Sequence, residues 1–145
     1  MAVEGPAEAP PAPVLDASLL ALVAADSPVL RGWRCDSCHR LVFGVKLICP
    51  RCGSRDGRET RLEQRGRLET WTRVVGKTEY IVGYCLVGDG EDDQEVRVFG
   101  PLDVADESAL RPNQPVEIRF KSSELAHGER IHHYFVPADG QGSGG

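Results

Sequence analysis

Cys35-Asp36-Ser37-Cys38, ten intervening residues, then Cys49-Pro50-Arg51-Cys52-Gly53 is the stretch around which this 145-residue chain is organised. Two Cys-x-x-Cys pairs at this separation read as a metal site. Four thiolates can close a tetrahedron around one ion, each pair forming a tight knuckle whose backbone N–H groups face the sulfurs, with zinc–sulfur bonds of about 2.3 Å. Zinc is the expected metal. Thioredoxin-like redox motifs carry one such pair and disulfide frameworks belong to secreted chains. Rubredoxin-type iron sites use similar knuckles set much further apart, and iron stays open as the alternative ion.

A ribbon of about twenty residues buries too little apolar area to fold without its metal, so the ion is expected to supply folding energy. The fifth cysteine, Cys85, stands alone in the apolar run Tyr80-Ile81-Val82-Gly83-Tyr84-Cys85-Leu86-Val87 and reads as a buried strand thiol rather than a nucleophile. Residues 1–14 have no basic residue, no continuous apolar core and four prolines, which is not the pattern of an export signal. The longest apolar run, Leu19 to Ala25, is too short to span a bilayer. A reducing cytoplasm is the expected location.

The net charge of −5 hides a division along the chain. Residues 1–29 carry four acids and no base, residues 30–67 ten bases against four acids, and residues 68–145 seven bases against fourteen acids. The cysteine segment is a basic island in an acidic protein. Part of that excess only offsets a zinc tetrathiolate, formally −2, or forms an ordinary solvated face.

In order, residues 1–14 read as a disordered Ala- and Pro-rich leader. Residues 15–27 read as a short helix, with Asp16 as N-cap and an end near Ser27-Pro28. Residues 30–60 form the ribbon, Arg40 to Ile48 crossing between the knuckles as two short strands that turn near Gly44, and Gly53 to Gly57 leaving as an exit turn. Residues 64–137 give five candidate strands: Arg67 to Gly76, Glu79 to Val87, Glu95 to Phe99, Pro115 to Phe120 and Ile131 to Val136. A helix-compatible piece, Asp103 to Leu110, lies between the third and fourth. That pattern is the pattern of an OB-fold, a partly open five-stranded Greek-key barrel, and on spacing alone another small barrel stays open as the alternative. The acidic hairpin Gly88 to Asp93 reads as a solvated loop without the spacing of a calcium site, and residues 138–145 as a disordered tail. The fold class expected is therefore mainly β: a short N-terminal helix, a four-cysteine zinc ribbon and a five-stranded OB barrel.

This order of parts, with the Cys49-Pro50-Arg51-Cys52-Gly53-Ser54 run, the Gly66 to Thr72 segment, Phe99-Gly100 and Gln114 to Ile118, resembles the family of rubredoxin-like zinc ribbons fused to an OB-fold that accompany acyl-CoA enzymes, long catalogued as a domain of unknown function. The resemblance runs from about Leu15 to Pro137. It departs at Phe43-Gly44-Val45-Lys46, where family members usually have two prolines and a basic residue, and at the start of the barrel, where only Gly66 of a usual Gly-x-Gly is present. What the resemblance implies is a non-catalytic accessory subunit in a hetero-oligomer with a thiolase-like ketothiolase or aldolase of acyl-CoA degradation, including β-oxidation. Such a subunit stabilises the thiolase-fold partner and helps shape the acyl-CoA site. Catalysis then lies on the partner's cysteine and histidine residues.

The metal ligands expected are Cys35, Cys38, Cys49 and Cys52, a structural site because four thiolates leave no open position for water or substrate. His39, His127, His132 and His133 show no spacing for a second site; His132 and His133 are strand neighbours that face opposite sides. No nucleophile motif or acid/base dyad stands out. Because CoA is anionic, Arg40, Lys46, Arg51 and Arg73 are the expected contacts to its phosphates. The rival function is nucleic-acid binding, common to zinc ribbons and OB-folds. Against it stand the acidic barrel half and the reading of Trp71, Tyr80, Tyr84, Phe99 and Phe120 as core.

Overall fold

The computed structural model describes residues 13–22, 27–125 and 128–138. The expected leader and tail lie outside these residues except for Pro13, Val14 and Ala138, as do residues 23–26 of the expected helix and His127. Among the described residues regular structure is nine β-strands and one 3-10 turn.

The first sheet is built on the long strand β2, Pro28–Cys35, which pairs with β1 (Leu20–Leu22) and β3 (Leu41–Phe43) along one edge and with β4 (Gly57–Arg61) along the other. All three pairings are antiparallel, with registers such as Leu20↔Leu30, Trp33↔Val42 and Trp33↔Glu59. The helix expected from Asp16 is replaced by a single turn and a strand. Asp16 does cap, its carboxylate accepting from the Ser18 N–H at 2.9 Å, and the Leu19 and Leu20 N–H groups reach the Asp16 carbonyl. Leu20 then pairs across to Leu30 in a hairpin and both become almost fully buried. A helix this short has little stability of its own, and the hairpin buries the same leucines while satisfying their backbone groups.

The ribbon differs from expectation in its third strand. After β3 the chain turns at Gly44 (φ 87°), and Val45 donates to the Ser18 carbonyl instead of starting a second strand. The strand that completes the sheet is β4, whose charged sequence Arg58-Glu59-Thr60-Arg61 carries no apolar alternation to announce it. Gly57 opens β4 directly beneath Trp33: a Cβ there would lie 2.0 Å from the indole, so only glycine lets the ring cover the strand.

The second sheet is a closed barrel of β5 (Arg65–Val74), β6 (Tyr80–Val87), β7 (Val96–Leu102), β8 (Pro115–Leu125) and β9 (Gly128–Pro137). Its order is β5-β6-β7-β9-β8. β8 closes on β5 at Gly66↔Val116, β7 meets β9 in parallel at Leu102↔Phe135, and the turn Glu107–Ala109 spans β7 to β8. This is OB topology, as the strand spacing implied. Inward positions alternate along each strand and supply Leu68, Ile81, Cys85, Val87, Val98, Leu102, Val116, Ile118 and Phe135 to the core. Leu20, Leu30, Leu41 and Leu62 belong to the same cluster, so the base of the ribbon and the barrel share one interior. Val14 adds a parallel bridge to Ile131 on β9. No helix among the described residues is long and apolar enough to cross a membrane.

Candidate metal centre and adjoining surfaces

The two knuckles are built alike. Cys35 ends β2, its N–H donating to the Arg40 carbonyl at 3.0 Å, and His39 donates back to the Cys35 carbonyl at 3.0 Å. In the second, Cys49 donates to Ser54 at 2.7 Å and Gly53 donates to Cys49 at 3.0 Å. His39 and Gly53 occupy equivalent left-handed positions, φ 65° and 79°. Backbone N–H groups aim at the sulfurs, Ser37 and Cys38 at Cys35 Sγ (3.3 and 3.4 Å) and Arg51 at Cys49 Sγ (3.4 Å). The Ser37 and Ser54 hydroxyls bond at 2.9 Å and tie the knuckles together.

These turns bring Cys35, Cys38, Cys49 and Cys52 together with all four sulfurs within 4.8 Å of one another. Cys35 and Cys52 are 3.6 Å apart, as are Cys38 and Cys49. A tetrahedron with bonds of about 2.3 Å places its sulfurs about 3.8 Å apart, so the cage fits one ion. Backbone donation favours the thiolate: the N–H of Cys38 lowers Cys35, and that of Cys52 lowers Cys49 to about 6. At Cys52 the Ser54 N–H acts in the same sense, but burial and the three neighbouring sulfurs outweigh it and push the thiol up to about 11. A cation between the sulfurs relieves that repulsion. Trp33 and Val42 cover the inner side of the cage beside the buried Cys35 and Cys49.

The acidic segment between β6 and β7, expected to be solvated, is docked onto the ribbon. Asp89 has no exposed side-chain surface and takes Arg34 Nη2 at 2.9 Å on both oxygens. Asp92 takes Arg34 Nη1 at 3.2 Å, Glu91 takes Arg58 at 2.8 Å, and Gln94 holds the His39 carbonyl at 2.9 Å. Arg34 itself is nearly buried, and a buried guanidinium needs such partners. The segment is a strap joining barrel to first knuckle. Its signal in the sequence was the cationic ribbon itself, which supplies the partner that acidic loops otherwise find in water.

Of the four bases expected at CoA phosphates, Arg40 and Lys46 lie together in a groove of about 420 Å³ at the seam between β3 and β6–β7, with Arg97 at its barrel side. Arg51 stands exposed on the second knuckle. Arg73 sits at the opposite end of the β5–β6 ladder, bound to Glu107 at 2.6 Å and Glu79 at 3.2 Å.

The aromatic residues expected in the core divide between the core and the outer face. Tyr80, Tyr84 and Phe99 are 51, 40 and 49 % exposed on the barrel's outer face, while Trp71 and Phe120 are half-buried against the core. In the run Tyr80 to Val87 both alternating faces are apolar, so apolarity alone could not say which rings face out; the inward set is Ile81, Gly83, Cys85 and Val87. Cys85 is fully buried, its thiol pushed up to about 12 by burial. His132 and His133 do face opposite ways, His132 toward Ser123 at 2.8 Å and His133 toward the Phe99 carbonyl at 2.7 Å.

Fold and cage together define a four-cysteine ribbon joined to an OB-type barrel. No family model matches the chain. The benzoylsuccinyl-CoA thiolase subunit BbsA of Thauera aromatica is 30 % identical over 97 residues, an alignment covering 63 % of this chain and 63 % of BbsA, thus under two thirds of that relative's length. Among solved structures, a chain described as the Ltp2-ChsH2(DUF35) aldolase matches with a TM-score of 0.57 at 19 % identity, covering 75 % of this chain and 84 % of that one. That likeness is one of fold.

Proposed function

We propose that this protein is a zinc-binding accessory subunit of a thiolase-like acyl-CoA enzyme, a ketothiolase or aldolase in acyl-CoA degradation, acting in the cytoplasm. The observation that carries the reading is the closed four-sulfur cage. Zinc there has no open coordination position, so it holds the ribbon in shape and leaves the chemistry to another chain. Similarity to a thiolase subunit supplies the partner's class. Arg40 and Lys46, which line one groove, are then the first candidates to meet the anionic end of a CoA thioester, with Arg51 and Arg73 as the remaining ones.

A second reading, nucleic-acid binding, is favoured by one observation: the exposed rings Tyr80, Tyr84 and Phe99 on a barrel face. Affinity capture of the chain from its native host separates the two. A thiolase-fold protein in the eluate is the expected result; RNA or DNA without such a protein supports the rival and overturns the first reading.

A further inference from the structure

We propose that the outer face of β5, β6 and β7 binds a purine nucleotide, its base against Tyr84 and Phe99 and its phosphates toward Arg40 and Lys46. The proposal rests on the accessory-subunit reading only for the choice of an adenine nucleotide, the handle of an acyl-CoA. The geometry stands apart from it.

Tyr84 and Phe99 are direct register partners on β6 and β7 and so share one face. Their ring centroids are 5.2 Å apart and their planes tilted by 59°, an edge-toward-face contact that still leaves Tyr84 40 % and Phe99 49 % exposed. Thr70, the register partner of Tyr84 on β5, adds a hydroxyl beside them. A planar base stacks on such rings, burying apolar area that the chain alone leaves in water.

The rings lie at one end of a continuous track. A depression of about 160 Å³ beside Phe99 shares Thr70 and Tyr84 with one of about 360 Å³. That in turn shares Arg97 with the seam groove of about 420 Å³. The charged residues lining it are Arg40, Lys46 and Arg97 against Glu69 and Glu95. Arg97 is bound by both oxygens of Glu69 at 2.6 and 3.0 Å, and Arg67 by Glu95 at 2.9 Å. Arg40 and Lys46 have no ion pair among the described residues, which leaves the seam end positive on an otherwise acidic barrel.

Rings at one end and free cations at the other match a single nucleotide. A plain anion has no use for the rings, an apolar peptide none for the bases, and a nucleic-acid strand wants cations along the whole track.

The test is calorimetric titration of the full chain with adenosine 3′,5′-bisphosphate, inorganic pyrophosphate and a short oligothymidylate, with amide NMR shifts as a second readout. Saturable bisphosphate binding that shifts Thr70, Tyr84, Phe99 and Lys46 is expected. Phe99→Ala should weaken it about tenfold, and Lys46→Glu should weaken it and flatten its salt dependence. Pyrophosphate should respond to Lys46→Glu alone. Phe99 is half exposed, so its removal spares the barrel interior, and circular dichroism checks the fold. Absence of saturable binding, binding indifferent to Phe99→Ala, or tighter binding of the oligothymidylate overturns the proposal. A thiolase-fold partner captured by the wild type and lost on Phe99→Ala, without nucleotide binding, would make this face a protein interface: the nucleotide site would fall and the accessory reading would stand. Bisphosphate binding with no such partner would give the reverse.

Discussion

His133 sits where a charge cannot follow it. Its ring packs edge-on to Phe43 of the ribbon (6.1 Å) and Phe135 of the barrel (5.8 Å), Nε2 donates to the Phe99 carbonyl, and Nδ1 is buried with no hydrogen-bond partner among the described residues. Burial lowers its pKa below the ordinary 6.5, outweighing the Phe99 carbonyl, which favours the protonated ring, while His132 adds to the lowering. The sign follows: below pH 6.5 the unfolded chain takes up a proton that the folded ring refuses, so stability falls as pH drops from there toward the depressed folded value. His133→Gln should remove up to about 1 kcal/mol of the stability difference between pH 7.5 and 5.5, measured by denaturant unfolding. An unchanged difference would show that another group carries it. At this scale the four cysteines were legible from spacing alone. The main partners of Asp89 and His133 were not, because Arg34 lies 55 positions from Asp89 and Phe99 lies 34 positions from His133.

Among elements, the strap between β6 and β7 has the clearest consequence. Asp89 is held below the usual carboxylate range: burial raises it, but the Glu91 N–H, Arg34 and Thr60 together outweigh burial. A depressed carboxyl contributes stability present above its unfolded value near 3.9 and lost as pH falls through its folded value. Asp89→Asn should cost roughly 3 kcal/mol at neutral pH by leaving Arg34 underpaired in a buried place, and should flatten the acid limb of the stability curve. Thermal melts across pH 2–7 read both effects. The five barrel strands were legible because turn residues bound each apolar run, though β8 and β9 extend past their expected ends into a hairpin of mostly polar residues, Lys121 to Leu125 against Gly128 to Arg130. β4 and the N-terminal hairpin were hidden, the first by its charged sequence, the second because Leu19, Leu20 and Val23 fit a helix face as well as a strand.

Over the whole molecule the uneven charge turns out to be partly internal complementarity. Arg31, Arg34 and Arg58 of the ribbon pair with acids, Arg34 and Arg58 reaching acids of the barrel half, so the acidic barrel holds the ribbon against itself. The shared leucine core works in the same direction. Loss of the metal should therefore loosen more than the knuckles: with the cage gone, β2 and β3 lose the anchor that fixes Leu30 and Leu41 in the common core. In the proposed function, a metal-held ribbon forms the platform on which a larger enzyme rests. Native mass spectrometry of the captured complex, before and after chelation and with Cys49→Ser, tests it most directly. One zinc per chain, a bound thiolase-fold partner, and release of that partner when zinc is removed or Cys49 replaced are the expected results. A partner that stays bound after complete metal loss would contradict it.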